Sequence, residues 1–187
     1  MLTESDMILA VNWQGIDLTG SIASEKLNGC RVEWDGESFW TRSGNRVNAP
    51  AWFTKGLPKR RINGEIHCGR GVGIGNNNSG YKVAMRAVVH GGDWFRETDN
   101  GEAIRFTALY LPDVCGSWAD RQLATRTTVR SCKHAAAIKT RRIRSPKDFA
   151  GFLKELHAVN AEGAMFIVDG DGKTGRTGEL RRFKFHE

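Results

Sequence analysis

Asp35-Gly36 lies between two stretches of alternating polarity, Cys30-Arg31-Val32-Glu33-Trp34 and Ser38-Phe39-Trp40-Thr41-Arg42. An Asp-Gly link accepts the positive φ of a tight turn and follows the right-handed twist of paired strands. The segment therefore predicts a β-hairpin, and Ser43-Gly44-Asn45 turns the chain again. Just before the hairpin, Ser24-Glu25-Lys26-Leu27-Asn28-Gly29 sets a lysine between apolar Ile22-Ala23 and a glycine turn. A lysine held at a turn between strands can be aimed into a cleft. Lys becomes a nucleophile when its surroundings favour the neutral amine. Alone, the same stretch reads equally as a surface loop.

The rest of the chain extends the sheet and adds helices. Met7 to Val11 is an apolar run suited to the core. Pro50, Trp52 and Phe53 form an aromatic-rich connection, and Ile62 to Cys68 reads as a turn followed by a strand, with Glu65 near the strand's start. Gly69 to Gly80 is a loop. Its Gly71-Val72-Gly73-Ile74-Gly75 lacks the βαβ context of a dinucleotide site. Tyr81, Ala84, Met85 and Val88 have helical spacing, with Ser79 as cap and Gly91-Gly92 as stop. Ile104 to Leu111 is the clearest strand and Ser117 to Val129 a second helix. Ser145-Pro146 caps a third helix with Phe149, Phe152, Leu153 and Leu156 on its apolar face. Ala164 to Val168 and Leu180 to Phe185 read as strands around a glycine-rich loop, Asp169 to Gly178. The order predicts an α+β fold, one domain over residues 1–187, of mainly antiparallel sheets flanked by helices.

Composition narrows the partner. The net charge is +7, which favours a polyanion such as nucleic acid. The cations gather at Lys55, Lys59, Arg60 and Arg61 and again from Arg121 to Lys147. No apolar run is long enough to span a membrane. The acidic start, Met1-Leu2-Thr3-Glu4-Ser5-Asp6, is no signal peptide. Cys30, Cys68, Cys115 and Cys132 are scattered, as reduced thiols of a cytoplasmic protein would be.

Four further sites place a charged or aromatic residue on or beside a strand: Glu65, Tyr110, Glu162 and the pair Arg182/Lys184. Arg182 and Lys184 are two apart, so on a strand they share a face and suit a phosphate. Glu65 and Glu162 can hold Mg²⁺ or accept from ribose hydroxyls. Tyr110 can stack on a base.

Their order resembles a known series. Lys26-x-Asn28-Gly29-x-Arg31, Thr41 to Asn45, Asn63-Gly64-Glu65, Glu162-Gly163-Ala164-Met165 and Arg182-Phe183-Lys184 closely resemble the motifs of ATP-dependent DNA ligases, of the small bacterial and phage type, within the covalent nucleotidyltransferases. Trp13 to Gly20 and Asn48 to Pro58 fit the stretches between, so the resemblance spans about residues 7 to 187.

The resemblance implies a nucleotidyltransferase (ATP-grasp-like) adenylation domain acting on ATP with Mg²⁺. Lys26 would attack the α-phosphate, expel pyrophosphate and carry AMP as a covalent adduct. The AMP would pass to the 5′-phosphate of nicked double-stranded DNA, and the 3′-hydroxyl would then displace it. Arg182 and Lys184 would meet the α-phosphate, and Glu65 and Glu162 would serve ribose and metal. Tyr110 would stack on adenine, and Ser24-Glu25 would add adenine contacts. Arg31 and Arg42 would meet the nucleotide and the nick phosphate. Lys55, Lys59, Arg60 and Arg61 would bind DNA.

The chain departs from the pattern at Asn28 and Asn63, where Asp is usual, and at Arg182, where Lys is usual. The last motif lies at its end, with no OB-fold after it. The expectation is a monomer whose OB-fold comes from a separate subunit or domain, or whose basic patches hold DNA unaided. An RNA ligase and a non-catalytic nick- or nucleotide-binding relative remain as alternatives. A capping guanylyltransferase ranks below them.

Overall fold

The structure is a computed structural model describing residues 7–69, 80–92, 94–95, 103–168 and 178–185. The predicted Ser79 cap, the acidic first residues and most of the two glycine-rich loops lie outside the described residues.

In chain order the elements are β1 (Val11–Asn12), β2 (Ile22–Lys26), β3 (Gly29–Trp34), β4 (Phe39–Thr41), β5 (Arg46–Val47), α1 (Ala51–Thr54), β6 (Ile62–Cys68), α2 (Gly80–His90), β7 (Ile104–Tyr110), α3 (Trp118–Val129), β8 (Ala135–Ala137), β9 (Thr140–Arg142), α4 (Pro146–Ala158), β10 (Gly163–Ile167) and β11 (Leu180–Lys184). They form a five-stranded sheet, β1-β11-β10-β2-β9, and a six-stranded sheet, β5-β4-β3-β6-β7-β8. All pairings are antiparallel except β1 with β11 and β7 with β8. The architecture is the mixed, mainly antiparallel one predicted.

The alternation of each strand sorts its residues into two environments. In the five-stranded sheet, Ala23, Ala164, Phe166 and Phe183 turn toward α4 and pack on its Phe149, Phe152 and Leu156. In the six-stranded sheet, Val32, Trp34, Ile62, Ile66, Phe106 and Ala108 build the larger core with Phe39, Phe53 and the α2 residues Val83 and Ala87. Each large apolar side chain buried this way contributes about 1.5–3 kcal/mol. The remaining faces are more polar and turn toward a cleft between the sheets. Ser24, Lys26, Met165 and Arg182 come from the first sheet, and Arg31, Glu65 and Tyr110 from the second. A third cluster, Ile8, Tyr110, Trp118, Ile167 and Leu180, bridges the sheets.

One irregularity changes a residue's side. Asn63 pairs with Tyr110 and Gly64 with Ala108, so Leu109 is an extra residue on β7. The bulge breaks the alternation. Ala108 stays in the core, and Tyr110 shares the cleft face with Asn63.

Several details differ from expectation. Ile62 to Cys68 is one continuous strand and Glu65 stands at its centre. Gly64 marks a close approach of Phe106, whose ring leaves no room for a Cβ, and not a turn. The buried stripe of α2 is Val83, Ala84, Ala87 and Val88, leaving Tyr81 exposed. The aromatic-rich connection contains the single turn α1. The strands β8 and β9, read as part of a basic region, are short edge strands. Alanine and arginine carry little β signal, so pairing alone defines them.

Candidate active site

The chain crosses from one sheet to the other through Leu27 and Asn28, between the end of β2 and the start of β3. Lys26 therefore stands where the sheets part. Gly163 pairs with Lys26 on one side and Lys184 on the other, so both lysines share one face. Glu162, just ahead of β10, reaches both. Lys26 Nζ lies 2.6 Å from Glu162 Oε2, and Lys184 Nζ lies 3.7 Å from Oε1. The first pair is largely shielded, with Lys26 19% and Glu162 15% exposed. Arg182, paired with Asn12, donates Nε to Asn12 Oδ1 at 2.7 Å and also lines the cleft.

The opposite wall is a polar chain. Arg31 Nε donates to Asn63 Oδ1 at 2.6 Å, and Asn63 Nδ2 donates to Glu33 Oε2 at 3.3 Å. Arg61 Nε donates to Glu33 Oε1 at 2.6 Å. Glu33 and Asn63 are completely buried. The Arg31 guanidinium also lies 5.7 Å from the centre of the Tyr110 ring. Glu65 pairs with Arg31 across the sheet. Burial pushes its carboxyl up to about 7, against the pull of Arg31 and Lys26, and Glu162 adds to the rise. The Tyr110 hydroxyl accepts from the Ile8 N–H at 3.2 Å, and its ring meets Trp118 edge-on. Trp118 opens α3 behind a capping box in which Ser117 and Asp120 exchange hydrogen bonds.

The cleft thus gathers Ser24, Lys26, Arg31, Arg42, Glu65, Tyr110 and Arg182. Glu25 also lines it, but alternation points its side chain away from the face of Ser24 and Lys26. Lys55, Lys59, Arg60 and Arg61 do not line it. Arg61 is tied to buried Glu33, and Arg60 pairs with Asp113 at 2.9 Å. In the second basic region Arg121 is buried, its guanidinium 5.8 Å from the centre of the Trp118 ring.

Glu65 and Glu162 are close enough to influence each other's charge. No group of three or more His, Cys, Asp or Glu suited to a metal exists among the described residues. Two carboxylates beside a phosphate site are nonetheless what Mg²⁺ takes, because it keeps several waters. Cys30 is no competing nucleophile: burial, aided by Glu65, pushes its thiol up to about 12. The residues not singled out from the sequence are Glu33, Asn12, Trp118 and Gln122. Only Glu33, a carboxylate within a strand-like run beside Trp34, carried a readable signal. No helix among the described residues is long and apolar enough to cross a membrane.

The site offers a shielded amine held by a carboxylate, flanking cations suited to phosphate, and an apolar slot bounded by an aromatic ring. That set can transfer a phosphorus-linked group to nitrogen. No protein-family model matches the chain. A DNA ligase of Haemophilus influenzae is 38% identical over 163 residues, covering 86% of this chain and 56% of the ligase. The chain thus spans a little over half the length of that relative. A Lig E DNA ligase, solved in work on DNA binding with a minimal scaffold, superposes with a TM-score of 0.76 at 26% identity, covering 95% of this chain and 68% of that one. The Chlorella virus DNA ligase-adenylate gives 0.73 at 15% identity, covering 95% of this chain and 68% of that one.

Proposed function

We propose, for a chain that is a homologue of DNA ligases and has the nucleotidyltransferase fold of their ATP-dependent members, that Lys26 is the nucleophile of an ATP-dependent DNA ligase. After the Lys26 ammonium, paired with Glu162, gives a proton to solvent, Nζ attacks the α-phosphorus of ATP. A nitrogen–phosphorus bond forms, the bond to the bridging oxygen breaks, pyrophosphate leaves and the amine sheds a proton. The lysyl-AMP then passes AMP to the 5′-phosphate of nicked double-stranded DNA, and the nitrogen–phosphorus bond breaks. The 3′-hydroxyl attacks that phosphate, AMP departs and the strand is sealed.

The observation that carries this reading is the bracketing of one carboxylate by two lysines, Lys26 at 2.6 Å and Lys184 at 3.7 Å from Glu162. Glu162 holds the Lys26 side chain in the cleft, and Lys184 and Arg182 meet charge on the α-phosphate. Arg31 is oriented by Asn63 toward the nucleotide, Tyr110 bounds the base, and Ser24 and Glu25 add contacts beside it. Glu65 and Glu162 would hold Mg²⁺, which supplies charge neutralisation at the leaving pyrophosphate. Arg42 meets the nick phosphate, and exposed Lys55 and Lys59, with Arg60 and Arg61 at the patch's edge, bind the DNA backbone. A partner domain or subunit closing over the nucleotide belongs to the same reading.

The test is intact mass spectrometry. Protein stripped with pyrophosphate is incubated with ATP and Mg²⁺ beside Lys26→Ala. The wild type gains one AMP and the variant none. An adduct that survives in the variant would remove Lys26 from the mechanism.

A further inference from the structure

Two side chains on α3 that line the cleft each carry a buried polar atom with no hydrogen-bond partner among the described residues: Trp118 Nε1 and Gln122 Oε1. Both residues are buried, Trp118 7% and Gln122 4% exposed. They are four apart on the helix, so they rise from one face as neighbours. Neither belongs to the stretches that resemble the ligase motifs. An unpaired polar atom at such a depth costs stability unless a ligand completes it.

The chemistry of each atom is fixed. An indole nitrogen only donates. The Gln122 amide is oriented because its Nε2 donates to the Leu109 carbonyl at 2.7 Å. Turning the amide over would set oxygen against oxygen, so Oε1 remains an acceptor. The helix therefore presents one donor and one acceptor beside an apolar slot formed by Ile8, Tyr110, Met165 and Ile167.

Given the nucleotide reading above, we propose that Trp118 and Gln122 read the six-position edge of the purine and select adenine over guanine. The 6-amino group of adenine donates to Gln122 Oε1, and an adjacent ring nitrogen accepts from Trp118 Nε1. Guanine sets its O6 against Gln122 Oε1, acceptor on acceptor. Rejection then comes from a buried group left unpaired, the mechanism by which polar sites discriminate strongly.

The test measures binding, so it does not depend on transfer. In a Lys26→Ala background, calorimetry compares ATP, GTP and purine riboside 5′-triphosphate, which lacks the 6-amino group. ATP is expected to bind about fivefold or more tighter than the analogue, and about a hundredfold tighter than GTP. Gln122→Leu should bring ATP and the analogue within about twofold of each other. Trp118→Phe should weaken both alike, because both keep the ring nitrogens. Thermal melts check folding, and Gln122→Met replaces Gln122→Leu if the latter fails to fold. An ATP preference over the analogue that persists without Gln122 overturns the proposal, and so does a protein that binds no ATP. A missing AMP adduct on the wild type, with the binding pattern intact, would instead overturn the transfer reading alone.

Discussion

Asn63 stands between Arg31 and Glu33, accepting from the first at 2.6 Å and donating to the second at 3.3 Å. The resemblance makes Asp usual at this position. Here the negative charge sits one strand away, on fully buried Glu33, which also holds Arg61 at 2.6 Å. The neutral amide carries that charge's influence to Arg31. Asn63→Asp would face a second buried carboxylate and lose a donor. It should cost about 1–3 kcal/mol in urea denaturation. Combining it with Glu33→Gln exchanges acid for amide and should recover more than half of the loss. No recovery in the double variant would separate the two residues energetically.

Glu162→Gln tests the bracket around Lys26. The amide keeps the shape but no longer attracts the two ammonium groups. The rate of AMP adduct formation, followed by quenched mass spectrometry, should fall at least about tenfold, the cost of misplacing a reacting group. The unfolding free energy from urea denaturation should change by no more than about 1 kcal/mol, since the pair is still partly solvated.

Glu65 makes stability depend on pH in a defined direction. Its carboxyl is raised by burial from 4.5 to about 7, so between those values the folded state holds a proton that the unfolded state has released. Its contribution is fully present below pH 4.5 and is lost as pH rises through about 7. In metal-free buffer, urea midpoints of the wild type should decline over that window relative to Glu65→Gln. A parallel pair of pH profiles would show that Glu65 is not the titrating group.

Gly163→Ala tests the backbone under the site. A Cβ there would collide with the Phe183 carbonyl on β11. Since Gly163 pairs with both Lys26 and Lys184, relief of the clash must spread the strands that carry them. The variant should lose about 1–3 kcal/mol of stability and most of its adduct formation. Full activity would mean that the register of these strands does not position the lysines.

Legibility followed the range of the signals. The hairpin at Asp35-Gly36, the capped start of α4 and the lysine at its turn are local patterns, and each is where local chemistry places it. The joint face of Arg182 and Lys184 follows from period-2 geometry alone. What escaped was decided across the fold. Arg61 pairs with Glu33, which stands 28 residues away on β3, and no local pattern links the two. Edge strands β8 and β9 exist only because neighbours pair with them. The α3 residues lie in a helix with almost no amphipathic pattern, and no residue pattern marks which polar groups a helix leaves uncompleted.

The extra residue at Leu109 makes the chain's arithmetic part of its chemistry. Removing it would restore the alternation with Tyr110 still opposite Asn63, but would take away the carbonyl that holds the Gln122 amide. The orientation of the Gln122 amide is therefore stored in the length of a strand as well as in its residues. A lineage could lose it by a single-codon deletion that leaves every residue named in the active site in place.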